Sequence, residues 1–292
     1  MGEAVERVAL VTHQMPGVAE EVLRQVLPVL AQRSVQVLLP PGEKAKHPTV
    51  FPPGAEECCE VSREEIASAD LCLVLGGDGT MLRTLRLTRD LGVPVAGINL
   101  GRVGFLAAVA RDRVAEDLPR LLAGGYVAHP LVGLTARVNG TPLRAVNDIV
   151  VGRGRDAGIC RISYAVNDVP LFDVRCDALI AATPAGSTAY NLAVGGPVLG
   201  IGLQGFVLSY VAPHTLETRS VVAAGPDVVR IRNESSHEAV DIVVDGEHMG
   251  SLEPLAALEI RTLPELATLA LLPENDFYRH FRERFVQAPE RC

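Results

Sequence analysis

A chain of 292 residues that is 48% hydrophobic and 21% charged holds enough apolar material for two ordinary domains with real cores, which excludes a disordered or fibrous protein. A net charge of −8 argues against a nucleic-acid surface, so any anion site has to be local, and the apolar runs are too short and too often broken by Gly, Pro or charge to span a bilayer. No signal peptide is visible, and the six cysteines (Cys58, Cys59, Cys72, Cys160, Cys176, Cys292) show neither C-x-x-C nor metal-ligand spacing, so the expectation is a cytoplasmic protein with free thiols, no membrane partner and no nucleic-acid partner.

In chain order, the apolar pattern predicts a strand at Val8–Val11, an amphipathic helix from about Val18 to Ala31, a strand at Val35–Leu39 and another at Leu71–Leu75. Between them, Pro40 to Gly54 carries five prolines and two glycines and reads as a mobile loop near the sheet edge. A helix from Thr80 to about Asp90, a strand at Val93–Ile98 and a helix at about Val114–Leu122 follow. Such alternation implies a parallel sheet with helices on its faces, a Rossmann-like α/β domain over residues 1–125.

After Gly124-Gly125 the helical period disappears and β-branched runs separated by turn dipeptides replace it. Leu134–Val138, Asn139-Gly140 and Leu143–Val146 form one hairpin signal, and Asn167-Asp168 and Asp245-Gly246 centre two more. A β-rich domain is expected over 126–270. The tail 271–292 contains the short, Arg-rich amphipathic stretch Asn275–Phe285, which is expected to pack back on the first domain.

The most informative stretch is Gly76-Gly77-Asp78-Gly79-Thr80, which leaves an apolar strand and opens a helix. Glycines let the backbone approach a ligand closely, and the helix N-terminus offers N–H groups to an anion, most often phosphate. A carboxylate there repels phosphate unless a metal ion intervenes or the carboxylate handles a hydroxyl proton, so Asp78 points to phosphoryl transfer onto an alcohol. The bland alternative is a turn capped by Asp78 or Thr80. No Lys-Ser or Lys-Thr follows, so this is not a Walker A loop. Arg83 and Arg86, on one side of the helix, are placed either to attract a polyphosphate or to be solvated.

Further on, Gly200-x-Gly202-x-x-Gly205 matches a dinucleotide fingerprint in spelling only, because a strand pattern follows where a helix is needed; Gly152-x-Gly154 fails likewise. Thr183 to Tyr190 gathers hydroxyls, a glycine and a tyrosine at a strand exit, either to hold a planar ring and its polar edge or to start a helix capped by Ser187 or Thr188. Asn147-Asp148 and Asp177 suit hydroxyl and carboxamide partners, and equally suit turns. His214 reads as a structural imidazole.

Taken in order, these elements resemble the NAD kinase family: Gly76 to Thr80, Gly101-Arg102-Val103-Gly104-Phe105-Leu106, Asn147-Asp148, Thr183 to Tyr190, Gly195-Gly196-Pro197, Pro213 to Leu216 with Arg219, and Phe277-Tyr278. The resemblance covers nearly the whole chain from Val8 to Phe285. The Gly-Gly-Asp-Gly-Thr element alone is shared with diacylglycerol-type lipid kinases and, more loosely, phosphofructokinases; the Gly-Ser-Thr-Ala-Tyr and Pro-His-Thr-Leu elements are more specific.

The resemblance implies transfer of a phosphoryl group from ATP or polyphosphate to the 2′-hydroxyl of the adenosine ribose of NAD, with Mg²⁺ or another divalent cation carried by the donor and no dedicated protein metal ligands. It implies Asp78 as the base or positioner, and an acceptor site of Gly79, Phe105, Asn147, Asp148, Asp177, Ser187, Thr188, Ala189 and Tyr190. Gly76, Gly77, Thr80 and Arg83 fall to the phosphate donor. Homodimers or homotetramers built through the β-rich domain are implied, Asp177 serving partly across subunits. The sequence departs from the family pattern at Asp148 (usually Glu), Ala178 (usually Gly), Ala185 (usually Thr) and Ser220 (usually Pro). Two rivals stay open at this point: a silent NAD(P)-binding regulator, and a kinase of the same fold acting on a lipid or sugar hydroxyl.

Overall fold

The computed structural model describes residues 4–51, 58–101, 104–138, 140–154, 157–275 and 277–285, with backbone only at 58 and 59. Arg102, Val103, Asn139, Cys292 and the side chains of Cys58 and Cys59 therefore lie outside the described residues. The chain divides into two compact units, 1–130 together with 267–292, and 131–266.

The first unit contains β1 (Arg7–Thr12), α1 (Glu20–Gln32), β2 (Gln36–Leu39), β3 (Cys58–Glu60), α2 (Arg63–Ile66), β4 (Leu71–Leu75), α3 (Asp78–Thr88), β5 (Pro94–Asn99), β6 (Val109–Ala110) and α4 (Val114–Leu122). Its sheet runs in the order β5-β4-β1-β2-β3 with every neighbouring pair parallel. Strands β1, β4 and β5 are almost entirely buried, as their unbroken apolar sequences require when helices cover both faces. Helix α1 buries Val22, Leu23, Val26 and Leu30 along one stripe, and this stripe carries the helix through Pro28, which removes one backbone donor. Strand β3 and helix α2 are too short for periodicity to reveal. The start of α2 is nonetheless written in Ser62-x-x-Glu65, whose side chains bond each other's backbone N–H groups as a capping box.

The segment expected to be a mobile loop is anchored over its described part. A short 3₁₀ turn at Lys44–Lys46 presents Glu43 and His47 inward, both buried. Prolines lower the chain entropy to be lost on ordering, and two inward polar side chains supply the fixing bonds that apolar periodicity does not show.

The second unit contains β8 (Thr141–Ala145), β9 (Asp148–Gly152), β10 (Cys160–Val166), β11 (Val169–Cys176), β12 (Ala178–Ala182), the single-turn helix α5 (Tyr190–Ala193), β13 (Gly205–Val211), β14 (Val221–Ala224), β15 (Val229–Asn233), β16 (Val240–Val244) and β17 (Glu247–Leu252), together with β7 (Val127–Val138) from residue 131 on and the long β18 (Ala257–Leu271) up to residue 266. One antiparallel sheet has the order β14-β13-β12-β9-β16-β17. Its inner face packs Ile149, Leu179, Phe206 and Ile242 with Ile162, Ile231, Leu258 and Ile260 of β10, β15 and β18. Its outer face, through Val150, Ala178, Ile180, Ala182 and Val207, is covered by the chain at Leu199. This double cover explains why β12 reads Ala-Leu-Ile-Ala-Ala without a polar residue. Ala178, one of the four departures from the family pattern, is a packed strand residue here. Both Asx turns form as the dipeptides demand, with Asn167, Asp168, Asp245 and Gly246 at positive φ.

The last helix, α6 (Phe277–Phe285), belongs to the first unit. Phe277 packs its ring tilted against Phe105 at 6.0 Å, Phe285 stacks on it at 5.9 Å, and Arg284 lies over the same ring at 5.0 Å. Phe105 is only 2% exposed, so its side chain is a packing anchor that fixes residues 104–106. Phe105→Ala is expected to destabilise the unit by about 3–5 kcal/mol, the usual loss for a fully buried aromatic. Denaturant unfolding followed by far-UV circular dichroism checks this, and an unchanged midpoint would show that α6 is not held by that ring.

Candidate active site

The first set of residues grows from the exit of β4. An added Cβ at Gly76 would lie 2.4 Å from Thr80 Oγ1, so the turn into α3 admits only glycine there. Gly77 occupies the N-cap position in an extended conformation (φ −96°, ψ −169°) with no side-chain cap, and Asp78 is the first helical residue, two positions earlier than the sequence pattern suggested. The amides of Asp78 and Gly79 thus precede the first backbone bonds of the helix, made by Thr80 and Met81 to the Gly77 carbonyl.

Asp78 does not cap its own helix. Its carboxylate accepts from the backbone N–H of Phe105 (3.3 Å) and Leu106 (3.4 Å). Gly104 makes this approach possible, because a Cβ on it would stand 2.1 Å from Asp78 Oδ1. Two long bonds to backbone orient the carboxylate and leave lone pairs for a hydroxyl or a cation.

A cavity of about 250 Å³ opens over this helix start, lined by Gly77, Gly79, Thr80, Arg83, His13 and Gln14. Arg83 donates from Nη2 to the carbonyl of Thr12 (2.5 Å). Arg86 is not among the lining residues. His13 and Gln14 escaped the reading of motifs. The available signal was topological: β1 lies where the strand order reverses, and the chain leaving the C-terminal end of such a strand borders the ligand crevice of an open α/β sheet.

The second set lies in the β-rich unit around Asn147-Asp148. The Asp245 carboxylate accepts from three successive backbone N–H groups, those of Val146 (2.9 Å), Asn147 (2.7 Å) and Asp148 (3.1 Å). Thr183 adds its amide to the Asn147 carbonyl (2.8 Å) and its hydroxyl to the Val146 carbonyl (2.6 Å). Gly186 presses so close that a Cβ would stand 2.1 Å from the Asn147 carbonyl oxygen. The backbone of 146–148 is therefore fixed from two sides. On it, Asn147 presents a buried Oδ1 with no hydrogen-bond partner, an acceptor fit for a hydroxyl or amine. Asp148 is buried, and that burial, with the neighbouring Asp245 charge added, pushes its carboxyl up to about 7.

The capped-helix reading of Thr183 to Tyr190 fails, because α5 starts at Tyr190 with no side-chain cap. Ser187, expected on the substrate, is fully buried and turned inward: its hydroxyl donates to the Pro184 carbonyl (2.7 Å) and accepts from the Leu199 amide (2.9 Å). It braces the loop, which a run of hydroxyls in the sequence could not distinguish from ligand contact. Thr188 bonds the Ala185 carbonyl (3.2 Å), while Ala189 is exposed and Tyr190 is 45% exposed. Ser220, where the family usually has Pro, joins its hydroxyl to Ser209 (2.8 Å), which in turn bonds Asn191 (2.7 Å).

Tyr190 and Asp177 share a cavity of about 320 Å³ with Arg153, Ala178, Asp241 and the glycines 152 and 154. Arg153 Nε donates to Asp177 Oδ1 at 2.9 Å and so sets the carboxylate in the cavity wall. His214 is exposed, and among the described residues it is held through its backbone amide, on the Arg175 carbonyl. Among the described residues, no group of three or more His, Cys, Asp or Glu is arranged to hold a metal ion, and Cys72, Cys160 and Cys176 are free.

Comparison with known proteins gives a consistent result. Residues 8–126 match the ATP-NAD kinase N-terminal domain and residues 146–270 the ATP-NAD kinase C-terminal domain. The chain is 35% identical to an NAD kinase of Heliobacterium modesticaldum, over 92% of this chain and 94% of the relative. It is 33% identical to an NAD kinase of Moorella thermoacetica, over 98% of this chain and 91% of the relative. In fold it is similar to yeast NADH kinase complexed with NADH (TM-score 0.84, 19% identity, 99% of this chain and 90% of that one). It is also similar to an NAD kinase from Archaeoglobus fulgidus in complex with ATP (TM-score 0.71, 23% identity, 96% and 97%). With both domain models matched in order and relatives above 30% identity along nearly its full length, the chain belongs to the ATP-NAD kinase family.

Proposed function

We infer that this protein is an NAD kinase, transferring the terminal phosphoryl group of ATP to the 2′-hydroxyl of the adenosine ribose of NAD to give NADP. The observation that carries the chemistry is Asp78, a carboxylate at a helix N-terminus that caps nothing and is aimed by two backbone N–H groups beside a cavity lined by Arg83. Relatives bearing the name NAD kinase, and similar folds holding NADH and ATP, support the substrate pair.

Phosphoryl transfer passes through a loose transition state, so the protein's work is alignment and charge neutralisation. Donor phosphates are assigned to the amides of Asp78 and Gly79 at the start of α3 and to the Arg83 guanidinium, with Gly76 and Gly77 giving the close backbone approach and Thr80 lining the floor. The acceptor ribose falls to Asn147, whose open Oδ1 accepts a hydroxyl proton bond, and to Asp148. The cavity of Asp177 and Tyr190 suits the far end of the dinucleotide, where a ring packs on Tyr190 and a carboxamide donates to the carboxylate. Asp78 orients the attacking hydroxyl and takes its proton late. Asp78, a carboxylate with free lone pairs beside an open cavity, would hold a divalent cation such as Mg²⁺ brought with the donor, and that cation would supply positive charge to the transferring group. Residence in the cytoplasm, supported by three free buried thiols, and assembly as a homodimer or homotetramer belong to the same reading.

Asp78→Asn keeps shape and cannot accept the proton; kcat is expected to fall by about 10²–10⁴-fold while the Kd for NAD and the Tm stay near the parent values. Near-normal turnover would reject Asp78, and a collapsed Tm would make it structural. Tyr190→Ala is expected to weaken NAD binding by about 0.5–1.5 kcal/mol beyond lost area, read by calorimetry; an unchanged Kd would remove Tyr190 from the site.

Asp148 gives a pH signature. Its folded-state pKa of about 7 lies above its unfolded value of 3.8, so the native state binds the extra proton and stability falls as pH rises from about 4 to about 7, then levels. Asp148→Asn removes that slope. The Tm of the variant relative to the parent should therefore be higher at pH 8 than at pH 5, and a pH-independent difference would contradict the burial of an ionising Asp148.

A further inference from the structure

Next to Arg83 lies a buried polar cluster that the phosphoryl-transfer reading leaves unused. Glu43 is 4% exposed, His47 fully buried and Thr12 1% exposed. Glu43 Oε2 accepts from the amide (3.0 Å) and hydroxyl (2.7 Å) of Thr12. Its Oε1 accepts from Lys46 Nζ (2.6 Å) and stands 3.7 Å from Arg83 Nη2, the same nitrogen that donates to the Thr12 carbonyl. The Thr12 hydroxyl has one proton, and a carboxylate can only accept it. His47, with Nε2 2.8 Å from that hydroxyl, must therefore donate through Nε2–H, which leaves Nδ1 bare and unpartnered. Burial lowers the His47 pKa against the opposing pull of Glu43, in keeping with a neutral ring.

The cluster sets the Glu43 carboxylate against two cations, Lys46 and Arg83, and of these Arg83 lines the cavity that already has a helix N-terminus. A buried ion pair is poor value as a stabiliser, since apolar residues of similar size serve a core as well or better. Its distinctive effect is geometric. Arg83 Nη2 donates to the Thr12 carbonyl and faces the Glu43 carboxylate at ion-pair distance, 3.7 Å, and Glu43 is itself held by the amide and hydroxyl of Thr12.

We propose that Glu43 is a positioning residue for the phosphate donor: through Arg83 and Thr12 it sets the guanidinium against the cavity of His13, Gln14, Gly77, Gly79 and Thr80. The proposal rests on the assignment of that cavity to the donor. The segment after β2, which reads as a loop in the sequence, is then part of the donor apparatus.

The test compares the parent with Glu43→Gln, Arg83→Gln and the double variant, measuring Tm, kcat, both KM values and the Kd for ATP by calorimetry. Glu43→Gln is expected to raise KM and Kd for ATP by about three- to thirtyfold, inside the range of coupling between contacting residues, with kcat and the KM for NAD within about twofold. The double variant is expected to be no weaker for ATP than Arg83→Gln alone. An unchanged ATP affinity in Glu43→Gln, or effects that multiply in the double variant, would overturn the positioning role while leaving the donor assignment intact. An unchanged ATP affinity in Arg83→Gln would overturn the donor assignment itself, and the positioning role with it. If Glu43→Gln fails to fold, Glu43→Asp keeps the charge but shortens the reach, and the same ATP weakening without a change in the KM for NAD is expected; equal weakening for both substrates would overturn the proposal.

Discussion

The close approach of Asp78 to the backbone of residues 104–106 is the contact on which the first unit's chemistry depends. It exists because Gly104 has no Cβ to stand in the way of the carboxylate. It also needs Phe105 locked under α6, since its amide is one of the two donors that aim Asp78. A parallel sheet with β4 buried on both faces gives this arrangement a rigid base, and the glycine turn out of β4 brings the helix N-terminus to the same place. Charge, direction and close backbone approach are thus set by packing before any substrate arrives, which is the condition for catalysis by alignment.

The β-rich unit solves a related problem with a different division of labour. Asp245, on a left-handed turn residue between β16 and β17, is fully engaged in holding three amides of 146–148. That leaves Asn147 and Asp148 on a fixed backbone with an open acceptor and a carboxyl raised toward neutrality by burial. One acid organises and the other is left available. Asp148 sits close enough to Asp245 for that charge to add to burial in raising its carboxyl.

Long periodic elements were legible because their packing repeats: β1, β4, β5, α1 and α4 each show their buried stripe in the sequence, and the Asx-Gly and Asn-Asp dipeptides gave the hairpins. Strands β3 and β6 have too few residues to show a period. The site was legible where geometry demands a residue type, as at Gly76, Gly77 and Asp78. It was not legible where one residue type serves two ends. Ser187 and Phe105 look like ligand contacts in a motif, and only the fold shows that one braces a loop and the other anchors a helix. Glu43 and Arg83 come from separate segments joined by no motif, and Cys160 and Cys176, unremarkable in spacing, face each other across the β10–β11 pair. Contacts of that kind are products of topology and carry no local signal.

Everything above converges on phosphorylation of one specific hydroxyl. The direct measurement incubates the purified protein with NAD, ATP and Mg²⁺, follows the product with an NADP-specific dehydrogenase, and locates the new phosphate by ³¹P NMR. Polyphosphate and NADH are run in parallel as donor and acceptor. One NADP is expected per ATP consumed, with the phosphate on the 2′-oxygen of the adenosine ribose. Binding of NAD without turnover, or phosphate appearing at any other position, would contradict it.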